Sequence, residues 1–451
     1  MTAGRIWIRN AAVVVTMDDE RRELADAGLL IEDGRIVAVG ADPPSVRADW
    51  QVINATGCVV TPGLVNTHHH LAQTLTRAVP AGQDAPLFGW LGSLYPVWER
   101  MRPEDIFVAA QVGLAELALS GCSMSSDHLY FFANGIRLED TIEAAATVGM
   151  RFHPTRGAMS MGQSSGGLPP DSMVEPEAGI LKDCERVIDA FHDPAEGAMV
   201  QVGLAPCSPF TVSEGLMRDV AELARDKGVR LHTHLAENAE DVAFSLERFG
   251  CLPGDYAADL GWLGDHVWHA HCVTLDEREI GLLAGTGTGV AHCPSSNCRL
   301  GSGIAPVRLL RDAGVPIGLG VDGSASSDQG HLLNEARLAM LLQRVNGGAG
   351  ALSAREALEF ATRGGARVLG RSGELGSLES GKRADIAIWD LSGLEAAGAW
   401  DPVAALVLCG PFRVRHLLVE GRPVVTDGLL VSLEAGALAE TGRTAVARLA
   451  G

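Results

Sequence analysis

The stretch TPGLVNTHHHLAQ, residues 61–73, sets three consecutive histidines directly behind an apolar, β-branched run. The run CVVTPGLVN (58–66) reads as a strand. Because strand side chains alternate between faces, His68 and His70 share one direction and His69 takes the other. Only the outer two can converge on one ion. Working outward, seven more strand-like segments follow: CSMSSD (122–127), MRFHPTR (150–156), MVQVGLA (199–205), VRLHTH (229–234), VWHAH (267–271), TGVAHC (288–293) and PIGLGVD (316–322). Longer stretches of helical period separate them, which is the pattern of βα units and a parallel sheet. One helix is explicit: SEGLMRDVAELARDKG, from Ser213, has a serine N-cap, an apolar face and a terminal Gly228. Eight units over this span predict an α/β fold, a (β/α)₈ TIM barrel, which typically takes about 250 residues. The alternative is an open doubly wound sheet, but no G-x-G-x-x-G follows the first strand.

The two chain ends read differently. RIWIRNAAVVVTM and LLIEDGRIVAVG at the front, and ADIAIWD and VRHLLVEGRPVVTDG at the back, are short alternating strands with turn signals. They predict a small β-sandwich domain formed from both ends, 1–60 and 370–451, flanking a barrel over 61–369.

Composition excludes several classes. With 451 residues, 47% hydrophobic and 20% charged, the chain reads as an ordinary globular protein. Its net charge of −20 argues against nucleic acid or an anionic membrane as partner, since both require a basic face. The N-terminus lacks the regions of a signal peptide and no long apolar run is present, so a cytoplasmic location is expected. Nine scattered cysteines without a C-x-x-C pair suggest neither a disulfide framework nor a structural zinc ribbon.

Barrel active sites lie at the C-terminal ends of the strands. Four strand ends carry capable residues: His68 and His70 on the first, His234 with Glu237 beyond it on the fifth, His271 on the sixth and Asp322 on the eighth. Imidazoles with a carboxylate suit Zn²⁺. His68, His70, His234 and Asp322 are the expected ligands. Glu237 is then free for proton transfer, and His271 stands beside the water. A buried histidine is more often a core residue than a ligand, and that reading is kept for His69, His153, His269 and His292. Asn297, in HCPSSNCRL, either fixes a loop or meets substrate.

In this order PGLVNTHHH, HLAE, AHC, HCPSSN and GVDGSAS resemble the amidohydrolase superfamily, in its mononuclear branch of heterocycle deaminases. The likeness extends to the C-terminal GSLESGKRADIAIWD. Longer stretches such as HHHLAQTLTRAVP, GCSMSSDH and RFHPTRGAMSMG are similar above all to 8-oxoguanine deaminases, and less closely to s-triazine hydrolases. The resemblance implies the same four metal ligands, with Glu237, His271 and Asp322 carrying the chemistry. It also implies one divalent ion, Zn²⁺ with Fe²⁺ as the alternative, and hydrolytic deamination by attack of metal-bound hydroxide. A binuclear site needs a bridging lysine near the fourth strand, and Lys182, Lys227 and Lys382 are all ill-placed for it.

The expected partners are water and a small heterocycle, foremost 8-oxoguanine, which would give urate and ammonia. Guanine, isoxanthopterin, cytosine and hydroxylated s-triazines are the alternatives, and a non-catalytic metal-binding scaffold is a remote one. A homo-oligomer is expected. Substrate contacts are sought at Gln73, whose amide can pair with a ring edge, at Trp90 and Trp98, which can stack, and at Arg156, Cys207 and Ser208. SSGGLPPDS, from Ser164, reads as a loop able to close over the site.

Overall fold

A computed structural model describes residues 4–40 and 50–451. Five strands, β1 (Ile6–Val15), β2 (Glu23–Glu32), β3 (Arg35–Gly40), β4 (Gln51–Asn54) and β5 (Cys58–Pro62), open the chain. Eight more follow: β6 (Leu64–Asn66), β7 (Cys122–Leu129), β8 (Arg151–Ala158), β9 (Gly203–Pro206), β10 (Leu231–Leu235), β11 (Val267–His271), β12 (Gly289–His292) and β13 (Ile317–Leu319). These eight close into a parallel barrel in chain order, β13 pairing back to β6. Every residue of the eight is buried, as expected for strands lined by side chains within and covered by helices without. The predicted helix after the fourth barrel strand is Glu214–Lys227, its first turn capped by Ser213 and its end marked by Gly228.

The back of the chain adds β14 (Ile386–Asp390), β15 (His416–Val419), β16 (Arg422–Thr426) and β17 (Leu429–Leu430). Both ends meet in one nine-stranded sheet, ordered β17-β16-β15-β14-β5-β1-β2-β3, with β4 also pairing β1. Strand alternation gives this sheet two different faces. Val59, Ala387, Trp389 and Leu417 join the main core with the barrel, while Cys58, Val60, Ile386, Ile388 and Leu418 share a separate small core with β1 and β2.

The run 58–66 is two strands rather than one. Cys58–Pro62 pairs with β14 in the end sheet, and Leu64–Asn66 pairs with β7 in the barrel. Gly63 makes the transfer possible, because a Cβ there would lie 2.3 Å from Ser123 Oγ. After the sheet, the last helix, Ala435–Ala450, returns to the barrel and packs on the helix Pro103–Leu119.

A buried ion network joins barrel and sheet at the N-terminal end of β8. Arg151 Nε and Nη2 donate to the two carboxylate oxygens of Asp385 at 2.8 and 3.0 Å. The same guanidinium donates to the Gly197 carbonyl and pairs with Glu420, which also pairs with Arg383. Among the described residues no helix is long and apolar enough to cross a membrane.

Candidate active site

The barrel pairing continues past the strand ends and sets the histidines in place. Asp322 N donates to the His68 carbonyl and His128 N to the His69 carbonyl. Gly320 lets the eighth strand approach the first, since a Cβ there would stand 2.7 Å from His68 Cβ. As alternation requires, the rings of His68 and His70 lie together, centroids 4.7 Å apart. His69 is turned the other way, toward Gly113 of the surrounding helix.

Three imidazoles then present the same nitrogen to one point, and their outer bonds dictate which. His70 Nδ1 faces the His128 carbonyl at 2.7 Å and His234 Nδ1 faces the Cys207 carbonyl. A carbonyl only accepts, so both Nδ1 atoms carry hydrogen and both Nε2 atoms are bare. Those two Nε2 atoms sit 3.0 Å apart. His68 Nε2 is buried without a hydrogen bond, 3.3 Å from Asp322 Oδ1, and His70 Nε2 is 3.4 Å from the same oxygen. Burial drives the pKa of His68 and His70 down and that of His234 to about 3, so all three are neutral at pH 7.

Converging lone pairs and a carboxylate repel one another unless a cation stands among them. This donor set fits a divalent metal bound by nitrogen and oxygen, and His68, His70, His234 and Asp322 are the residues that could hold it. His128 adds a fourth ring: one ligand atom each from His68, His70, His128 and His234 lie within 4.8 Å of one another. Its Nε2 donates to the Ala205 carbonyl, which turns that nitrogen away.

Beside this cluster stand Glu237 and His271. His271 Nε2 is 3.7 Å from Glu237 Oε2 and 3.8 Å from Asp322 Oδ2. Burial pushes Glu237 up to about 7, with Asp322 and Asp241 adding to the rise and His271 opposing it. Burial would lower His271, but the Glu237 and Asp322 carboxylates raise it above its ordinary value. The backbone is left-handed at Ala236, His271, Cys272 and Asp322, with φ from 49 to 70°. Such residues cost energy and cluster where a site requires a particular direction.

A cavity opens over the cluster. Gln73, Leu87, Trp90, Tyr95, Tyr130 and Phe210 form much of its wall, with His70, His234, Glu237, His271 and Asp322 at its floor. Of the substrate contacts expected from sequence, Gln73 and Trp90 line it, as do Cys207 and Ser208. Gln73 donates to the Tyr130 hydroxyl and leaves its Oε1 buried and unpaired, while the Trp90 indole is tied to the Ala325 carbonyl.

Trp98 and Arg156 do not reach the cavity. The Trp98 indole donates to Thr76 Oγ1 and packs among Tyr95, Tyr130 and Phe131. Arg156 is held by Glu175 and Asp183 over the Phe132 ring, which commits its guanidinium to the barrel rim. Asn297 meets His271, accepting from its Nδ1 at 2.9 Å. Residues 164–172 also stay off the cavity wall; the helix Leu87–Trp98 supplies the cover instead. Of the four histidines read as core residues, all are buried, and His269 bonds the Trp262 carbonyl.

Sequence reasoning missed His128, His232, Tyr130 and Phe210. His128 stands one residue before the end of β7, and His232 two residues before His234, so the strand-end and alternation rules applied at His68–His70 reach both.

The Amidohydrolase family model matches residues 59–424. The 8-oxoguanine deaminase of Pseudomonas aeruginosa is 47% identical over 99% of this chain and 99% of its own. An isoxanthopterin deaminase from an unknown prokaryotic organism is 38% identical over 98% and 96%. The crystal structure of an atrazine chlorohydrolase from Arthrobacter aurescens TC1, complexed with zinc, superimposes with a TM-score of 0.94 at 36% identity, covering 98% of this chain and all of that one (100%).

Proposed function

Because the chain belongs to the amidohydrolase family, and its relatives include named deaminases, we propose that it hydrolyses the exocyclic amine of a purine-like heterocycle, with 8-oxoguanine, converted to urate and ammonia, as the preferred substrate. The observation that carries the reading is the convergence of three bare imidazole nitrogens and Asp322 beside Glu237 and His271, under an aromatic-walled cavity. His68, His70, His234 and Asp322 would hold one divalent ion, Zn²⁺ by preference; the similar chlorohydrolase structure is a zinc complex. Such an ion supplies a nucleophile at neutral pH by lowering the pKa of a water, and polarises what it touches.

The chain's own groups do the rest. Asp322 receives a proton from the attacking water. As the water oxygen bonds to the amine-bearing ring carbon, Glu237 gives a proton to the neighbouring ring nitrogen. A carboxyl held near pH 7 suits that exchange, because both of its forms are populated. His271, whose protonated form Glu237 and Asp322 favour and which Asn297 aims, stabilises the charge that builds on the adding oxygen. Asp322 then passes its proton to the amine, the C–N bond breaks to release ammonia, and the remaining hydroxyl proton returns to Glu237, leaving a carbonyl. Trp90 and Tyr130 offer flat apolar contact, and Gln73 Oε1 offers an acceptor to a ring N–H.

The likeness to a chlorohydrolase structure supports a second reading, displacement of a substituent from an s-triazine. A panel of 8-oxoguanine, guanine, isoxanthopterin, cytosine and s-triazines separates the two. Ammonia release with the highest kcat/KM on 8-oxoguanine is expected. Chloride or alkylamine release from triazines, with no ammonia from the purines, selects the second reading.

A further inference from the structure

The three ring nitrogens that face the cluster are fixed by different kinds of partner. His70 and His234 lean on backbone carbonyls, which no substitution at His128 or Cys207 removes. His68 leans on a side chain: its Nδ1 lies 2.7 Å from His232 Nε2. His232 Nδ1 in turn lies 2.9 Å from the Trp268 carbonyl, and its ring stacks on the Trp268 indole with centroids 4.4 Å apart.

The direction of every hydrogen in this relay follows from its far end. The Trp268 carbonyl can only accept, so His232 Nδ1 must donate. A neutral imidazole carries a single ring hydrogen, so with Nδ1 donating, His232 Nε2 is the acceptor that faces His68 Nδ1. His68 Nδ1 must then donate to it, and His68 Nε2 is left bare toward Asp322. Were Nε2 to carry the hydrogen instead, His68 could not serve as a ligand.

We propose that His232 is a positioning residue for the metal site, selecting the tautomer of His68 through the relay Trp268 carbonyl, His232, His68. The inference rests on the reading of His68 as a metal ligand. Partners behind a ligating histidine commonly change metal affinity by about 10–100-fold when removed.

The test is zinc affinity by chelator competition on the whole chain, alongside circular dichroism and thermal melting of the metal-free forms. His232→Phe keeps the ring and the stacking surface but offers no acceptor, and weakens zinc binding by about 10–100-fold. His232→Gln restores an acceptor at the reach of Nε2 and recovers most of the affinity. Unchanged affinity in His232→Phe, or equal loss in both variants, overturns the relay. Retention of zinc by His68→Ala overturns the metal assignment itself, whereas loss in His68→Ala with none in His232→Phe overturns the relay alone. If His232→Phe does not fold, ¹⁵N-histidine NMR of the zinc-loaded wild type decides. A proton on His68 Nδ1 shared with His232 Nε2 supports the proposal, and a proton on His68 Nε2 overturns it.

Discussion

The barrel buries two polar clusters, one at each end, and they are built on opposite plans. At the N-terminal end Arg151 faces Asp385 and Glu420, and Arg383 meets the other carboxylate oxygen of Glu420. Each charge there has its opposite within the protein. At the C-terminal end three bare imidazole nitrogens face one another and Asp322, with Glu237 alongside, and no arginine or lysine side chain is among the groups lining that floor. The first cluster is complete as it stands and ties barrel to sheet. The second has no such opposite on its floor, and its donors are of the kind a divalent cation would complete.

Substitutions should separate the two plans. The largest effect is expected at the unmatched end: His70→Ala removes a ligand, and both metal content and turnover fall to background. Next comes Glu237→Gln, which should cost about 10²–10⁴-fold in kcat while metal stays bound; near-normal turnover would remove Glu237 from the chemistry. At the matched end, Arg151→Met strands Asp385, while Glu420 keeps Arg383, and should cost about 3–5 kcal/mol in a urea unfolding experiment. Metal per folded chain should not change. The smallest effect on the site is expected from His69→Ala, which points away from the cluster and should leave metal content at the wild-type level; its loss would undo the alternation argument.

Much of this contrast was legible in the sequence, and the illegible parts have physical reasons. Barrel strands are buried throughout, so apolar runs announce them and their ends announce the site. His68, His70, His234, Glu237 and Asp322 all stand where that rule puts them. His271 also ends its strand as the rule requires, but its direction was not legible. It shares strand parity with His269, which bonds the Trp262 carbonyl, yet it faces Glu237 and Asp322 because the backbone turns left-handed at His271 and Cys272. Nothing in VWHAH signals that turn. Trp98 and Arg156 misled for the opposite reason: a residue's chemistry can suit a ligand, but its neighbours decide whether it is free. The matched cluster was invisible, since Arg151, Asp385 and Glu420 lie far apart in the chain and no local pattern joins them.

Metal content, measured by elemental analysis of the purified wild-type chain and of the His70→Ala and Arg151→Met variants, distinguishes the two clusters most directly. About one tightly held divalent ion per chain is predicted for the wild type and for Arg151→Met, with none in His70→Ala. Two tightly held ions in the wild type, or an ion retained by His70→Ala, would contradict this prediction.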